Sequence, residues 1–111
     1  MKLIILNQKG GKTRLLINKS AETGYYMVVI NHAEAIRVSD VARKMGLNIP
    51  FPISFDEFIA RNFYPQGIKG FLIDNADYLL RHMARGVDID VVTWTQLKEK
   101  DDQVEEVDKE T

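Results

Sequence analysis

Leu3-Ile4-Ile5-Leu6-Asn7-Gln8-Lys9-Gly10-Gly11-Lys12-Thr13-Arg14 decides how the rest of this chain is read. An apolar run enters a Gly-rich turn, the turn ends in Gly-Lys-Thr, and a helical pattern follows. Strand, glycine loop and helix in that order are the layout of a phosphate-binding P-loop. In such a loop backbone N–H groups turn inward around an anion, and the helix N-terminus adds a favourable field. Gly10 and Gly11 permit the backbone conformations this requires. The candidate phosphate-binding residues are therefore Gln8, Lys9, Gly10, Gly11, Lys12, Thr13 and Arg14. Lys12 is the residue expected to reach the terminal phosphates, and the Thr13 hydroxyl the one expected to hold Mg²⁺. The competing reading is a chance Gly-Gly-Lys-Thr turn between a strand and a helix. One departure is plain: where the motif has its first glycine, five residues before Gly11, this chain has Leu6.

The surroundings of the loop suit a single small α/β domain. The chain has 111 residues, 45% of them hydrophobic and 28% charged, which supports one core and a solvated surface. Without cysteine there is neither a disulfide nor a thiolate metal site. No apolar run approaches the ~20 residues needed to cross a bilayer. The short run after Lys2 lacks a small-residue cleavage site and reads as a buried strand, so a cytoplasmic address with no membrane partner is expected. The net charge of −1 is unevenly placed. From Lys98 to Thr111, seven acidic residues face three basic ones, leaving −4 there and +3 on the rest. Residues 97–111 therefore read as an acidic, frayed or disordered tail behind a domain of residues 1–96.

Strands are expected at 2–6, 25–30, 68–73 and 87–94, with helices between them. The first helix runs from Lys12 to about Glu22, with Gly24 as its stop. Asn31 reads as an N-cap, with Glu34 completing a capping box, and this helix buries Ala35, Val38, Ala42 and Met45 before Gly46. After a short extended piece between Pro50 and Ser54, Ser54-Phe55-Asp56-Glu57 is a second capping box, opening a helix to about Phe63. A turn at 64–67 follows, and a last helix spans Asn75 to Arg85 before Gly86. Alternating strands and helices imply an α/β fold: a three-layer, mainly parallel sheet of about four or five strands with helices on both faces. Such sheets bind ligands at the carboxyl ends of their strands.

At one such end lies Gly70-Phe71-Leu72-Ile73-Asp74-Asn75-Ala76-Asp77. An acid directly after an apolar strand is the Mg²⁺-coordinating arrangement of nucleotide hydrolases, which makes Thr13 and Asp74 the candidate metal residues. The alternative is that Asp74 or Asn75 only caps the next helix. Hydrolysis also needs a base or water-positioning group. Asn75 stands where a Glu is common in such enzymes; it can orient water but cannot take a proton, and Asp77 is the next carboxylate. Asp74, Asn75 and Asp77 are the catalytic candidates. Thr93 and Thr95, at the end of the last expected strand, are candidate γ-phosphate sensors, with ordinary strand-terminal threonines as the plain alternative. Arg81 and Arg85 read as solvated charges rather than as arginine fingers for a neighbouring subunit. Arg37, Arg43 and Lys44 read likewise, since no basic stripe with interleaved aromatics is present.

The order of these motifs resembles the RecA-like core of superfamily 1 DNA helicases. Gly11-Lys12-Thr13-Arg14-Leu15-Leu16 looks like their first motif, and Val28-Val29-Ile30-Asn31-His32-Ala33-Glu34-Ala35 sits where their second-strand motif sits. Ile53-Ser54-Phe55-Asp56-Glu57-Phe58 resembles their Thr-Phe-His-Ser-Phe segment, and Leu72-Ile73-Asp74-Asn75-Ala76-Asp77 occupies the place of their Asp-Glu motif. Small phage-encoded ATPases and terminase motor domains share the layout. The resemblance covers residues 1–96, with Gly-Lys-Thr as its specific match. It implies a reduced P-loop NTPase core with strand order 1-4-3-2 in order of appearance, ATP or another nucleoside triphosphate with Mg²⁺ as cofactor, and a host cytoplasm if the chain is phage-encoded. Two functions follow. One is a slow Mg²⁺-dependent ATPase of phage or DNA metabolism, completed by a homo-oligomer or a larger replication or packaging complex. The other is a non-hydrolysing nucleotide-binding or degenerate P-loop interaction protein with a regulatory role.

Overall fold

The computed structural model describes residues 1–6, 11–61, 67–95 and 103–107, the last five as backbone. In chain order the elements are β1 (Lys2–Leu6), α1 (Lys12–Thr23), β2 (Tyr26–Val29), α2 (His32–Lys44), β3 (Ile53–Ser54), α3 (Phe55–Ile59), β4 (Phe71–Ile73), α4 (Ala76–Ala84) and β5 (Gln103–Val107). They divide into two units, one of Met1–Lys12 with Ile89–Thr111 and one of Thr13–Asp88.

The larger unit is a small α/β fold on a three-stranded parallel sheet of order β3-β2-β4. β2 is central, pairing Val28 with Ile53 on one side and with Ile73 on the other. Because a strand turns successive side chains to opposite faces, β2 feeds two cores. Met27 and Val29 pack with Ile17 of α1 and with Ala35, Val38 and Ala42 of α2. Val28 packs the other way, with Phe55 of α3 and Leu79 of α4. β4 divides in the same manner, Leu72 joining the first cluster and Phe71 and Ile73 the second. Helices thus cover both faces of this sheet, as its continuous apolar strands predict. Each fully buried aliphatic side chain contributes roughly 1.5–3 kcal/mol relative to exposure.

Local signals set the helix ends. The Asn31 carboxamide oxygen accepts from the Glu34 N–H at 2.8 Å, opening α2. α2 closes in a Schellman pair, with Gly46 at φ +74: the Gly46 N–H donates to the Arg43 carbonyl and the Leu47 N–H to the Ala42 carbonyl, each at 3.0 Å. At α3 the capping box is complete: the Glu57 N–H donates to the Ser54 hydroxyl oxygen and the Ser54 N–H to the Glu57 carboxylate, both at 3.1 Å.

Three expectations are corrected. α3 ends at Ile59 rather than near Phe63, because Ala60 caps it and Arg61 turns left-handed at φ 56. The strand expected at 87–94 is not formed: residues 87–95 carry no strand, and all of them are exposed. Their β-forming side chains gain only when a neighbouring strand covers them, and none does so among the described residues. The order 1-4-3-2 is accordingly seen in one adjacency, the 68–73 strand (β4) beside the 25–30 strand (β2).

In the smaller unit β1 pairs in parallel with β5, from Lys2 with Gln103 to Leu6 with Val107. Five residues inside the stretch read as an acidic tail thus form a ladder strand. β1 is only half-buried, with Ile5 exposed, rather than buried as its apolar run predicts. No helix among the described residues is long and apolar enough to cross a membrane.

Candidate functional site

The phosphate-binding candidates lie between β1 and α1. Gln8, Lys9 and Gly10, with Asn7, fall outside the described residues. Gly11, Lys12 and Thr13 are half-buried and Arg14 is exposed. Lys12 and Thr13 are the first two residues of α1, whose first turn holds no acidic residue. A helix N-terminus carries a positive partial charge, so Lys12 and Arg14 there are mutually unfavourable until an anion joins them. α1 is anchored from its middle: Ile17 is fully buried, and the Ser20 hydroxyl donates to the Tyr25 carbonyl at 2.7 Å.

Asp74 ends β4. It is 5% exposed, and its N–H donates to the Val28 carbonyl at 3.0 Å, carrying the β2–β4 ladder one residue further. Its charge is felt by Arg37 of α2. The Arg37 guanidinium donates twice to one Glu34 carboxylate oxygen, from Nε at 2.9 Å and from Nη2. This hydrogen bond holds the Arg37 pKa above its ordinary value against partial burial, with the charges of Glu34 and Asp74 adding to it. Asp74, Glu34 and Arg37 thus form an electrostatic group at the carboxyl ends of β2 and β4. Sequence reasoning placed Arg37 among solvated charges. The i, i+3 spacing from Glu34 to Arg37 was the available signal, but their link to Asp74 is set by the strand pairing.

Asn75 follows in the left-handed region at φ 57, ψ 60, at the N-cap position of α4, and its side chain makes no capping bond. Asp77 is exposed, 4.0 Å from Arg81. Thr93 and Thr95 lie exposed in the stretch without strand. His32 is exposed with its ring 5.8 Å from that of Phe51. Arg43 is paired with Asp40 at 2.9 Å. Among the described residues no three His, Cys, Asp or Glu side chains group as a metal site. Mg²⁺ needs no such group, since it is held through one or two carboxylates plus substrate phosphates. The Thr13 hydroxyl and the buried Asp74 carboxylate are hard oxygen donors of the kind it takes.

α4 is tied to both α3 and the sheet. Leu79 packs on Val28 and Phe55, and His82 Nε2 lies 2.7 Å from Asp56 Oδ1 at the start of α3. Ile30, just beyond β2, lines an open pocket together with Tyr78 and Arg81. The helix therefore runs from the end of β4 along the Val28 face of the sheet towards the start of α3. Comparison of the chain with protein-family models, curated proteins and solved structures finds no match.

Proposed function

We propose that this chain binds a nucleoside triphosphate with Mg²⁺ and hydrolyses it slowly, in phage or DNA metabolism in the cytoplasm, as a reduced RecA-like P-loop core. The observation that carries the reading is the first turn of α1, with Lys12, Thr13 and Arg14 behind a Gly-Gly loop and no acidic residue within that turn. An anion at that N-terminus turns an unfavourable charge arrangement into a favourable one. The buried acid at the end of β4 supports it. In this reading the backbone of residues 8–13 cradles phosphates and Lys12 neutralises their charge. Bound Mg²⁺, held by Thr13 and Asp74, supplies charge stabilisation at the phosphates. Asn75 orients water without accepting its proton. Groups missing from the chain come from a homo-oligomer or from a larger replication or packaging complex.

A second reading, nucleotide binding without turnover in a regulatory interaction protein, is favoured by Asp77. That carboxylate is exposed and faces Arg81, and Asn75 cannot act as a base. One series of measurements separates the readings. MgATP at a hundredfold excess over its Kd stabilises the wild type by about 2.7 kcal/mol, read as a raised melting temperature. Lys12→Ala removes that shift, and Asp74→Ala removes its dependence on Mg²⁺. A wild type that does not respond to any nucleoside triphosphate rejects both readings. Phosphate release that vanishes in Asp74→Ala supports the first, and binding without release supports the second.

A further inference from the structure

Tyr78, Arg81, His82 and Arg85 stand at i, i+3, i+4 and i+7 of α4 and its cap, the spacing of a single helical stripe. With Ile30 and Gly86 they line an open pocket of about 400 Å³. That is within the size range of small-ligand sites. Cations in the last turn of a helix also complement its dipole, and that alone explains one or two of them. It does not explain why they share one concavity with the apolar side chain of Ile30, the residue just beyond β2.

The lining is also organised. The Arg81 guanidinium lies 5.6 Å from the centre of the Tyr78 ring, which restricts its orientation. Its partner Asp77 is distant, at 4.0 Å, and exposed. His82 is held through Nε2 by Asp56. The Arg85 guanidinium makes no ion pair among the described residues, and the left-handed backbone of Arg85 (φ 54) ends the helix there. The result is two guanidiniums with donors to spare beside an imidazole. Guanidinium forks match tetrahedral oxyanions through paired N–H donors.

We propose that this pocket binds a phosphate ester, with Arg81 and Arg85 gripping the phosphate and Ile30 and Tyr78 flanking the organic part. The site does not rest on the triphosphate reading of the loop at residues 8–13. The ester has two possible sources, a free small molecule or the terminal phosphate of a nucleic-acid strand.

The test is a backbone amide chemical-shift titration of the full chain carrying Lys12→Ala, at fixed ionic strength. The probes are ribose 5-phosphate, a 5′-phosphorylated tetrathymidylate and its unphosphorylated form. Saturable shifts confined to Ile30 and residues 78–86 are expected. Adding Arg81→Gln and Arg85→Gln weakens them by about tenfold or more, as expected from losing charge-assisted bonds to an anion. Arg85→Lys, which keeps the charge and loses the fork, gives an intermediate loss. Tighter binding of the phosphorylated strand than of ribose 5-phosphate assigns the ester to a strand end, and equal binding assigns it to a small molecule. Unsaturable shifts, equal response to the unphosphorylated strand, or binding unchanged in the folded double variant overturns the site.

Discussion

Gly70 stands where a side chain cannot go. A Cβ there would lie 2.6 Å from the Tyr25 ring, inside any real contact distance. The ring presents its body rather than a movable tip, so the neighbouring strands must shift to admit a methyl group. Gly70→Ala is expected to cost about 1–3 kcal/mol, the usual penalty of overpacking, measured as a lower urea midpoint at unchanged slope. The sequence showed Gly70 only as one residue of the strand expected at 68–73, because the clash depends on Tyr25, far away in the chain. Asn75 is the reverse case. Its identity was legible as a departure from a common acid, but its left-handed backbone was not. Asn is one of the few non-glycine residues that tolerate that region, and its placement there diverts the chain from β4 into α4.

Helix starts were the most legible features because their chemistry is local. The Ser54–Glu57 box spans four residues, and the whole signal lies in the sequence that forms it. α3 is only five residues long, too short to persist on propensity alone, so its cap and the buried Phe55 carry it. Ser54→Ala is expected to cost about 1 kcal/mol, with the range for lost caps near 0.5–2. Thermal unfolding followed by circular dichroism checks it, and Glu57→Ala in the same background should add less than it does alone, since the box is reciprocal. The strand at 87–94 failed for the opposite reason. Val87, Val91 and Val92 fit a pleated surface, but a strand is completed by its neighbour, and composition does not name one. The course of α4 was illegible in the same sense: its length and stop at Gly86 followed from pattern, whereas its path towards Asp56 is tertiary.

Across the whole molecule, the apolar runs at 25–30 and 68–73 became β2 and β4 of a sheet with two cores, whereas β3 was read only as a short extended piece. The unit of β1 and β5 was half legible. β1 was read from its apolar run, whereas Gln103–Val107 is too acidic to suggest a strand until its partner is known. Ending the chain at residue 96 is expected to leave the larger unit folded and to raise amide exchange at Lys2–Leu6 by tenfold or more, read by hydrogen exchange with mass spectrometry. Unchanged exchange there would contradict the ladder. The pairing also fixes an order of events during synthesis. β1 leaves the ribosome before the larger unit and β5 after it, so everything needed for the larger unit is already present once Asp88 has emerged. The larger unit is therefore free to assemble before the β1–β5 ladder closes. The apolar run Leu3–Leu6 waits for its mate until β5 has emerged, and in that interval it is open to chaperones and to aggregation.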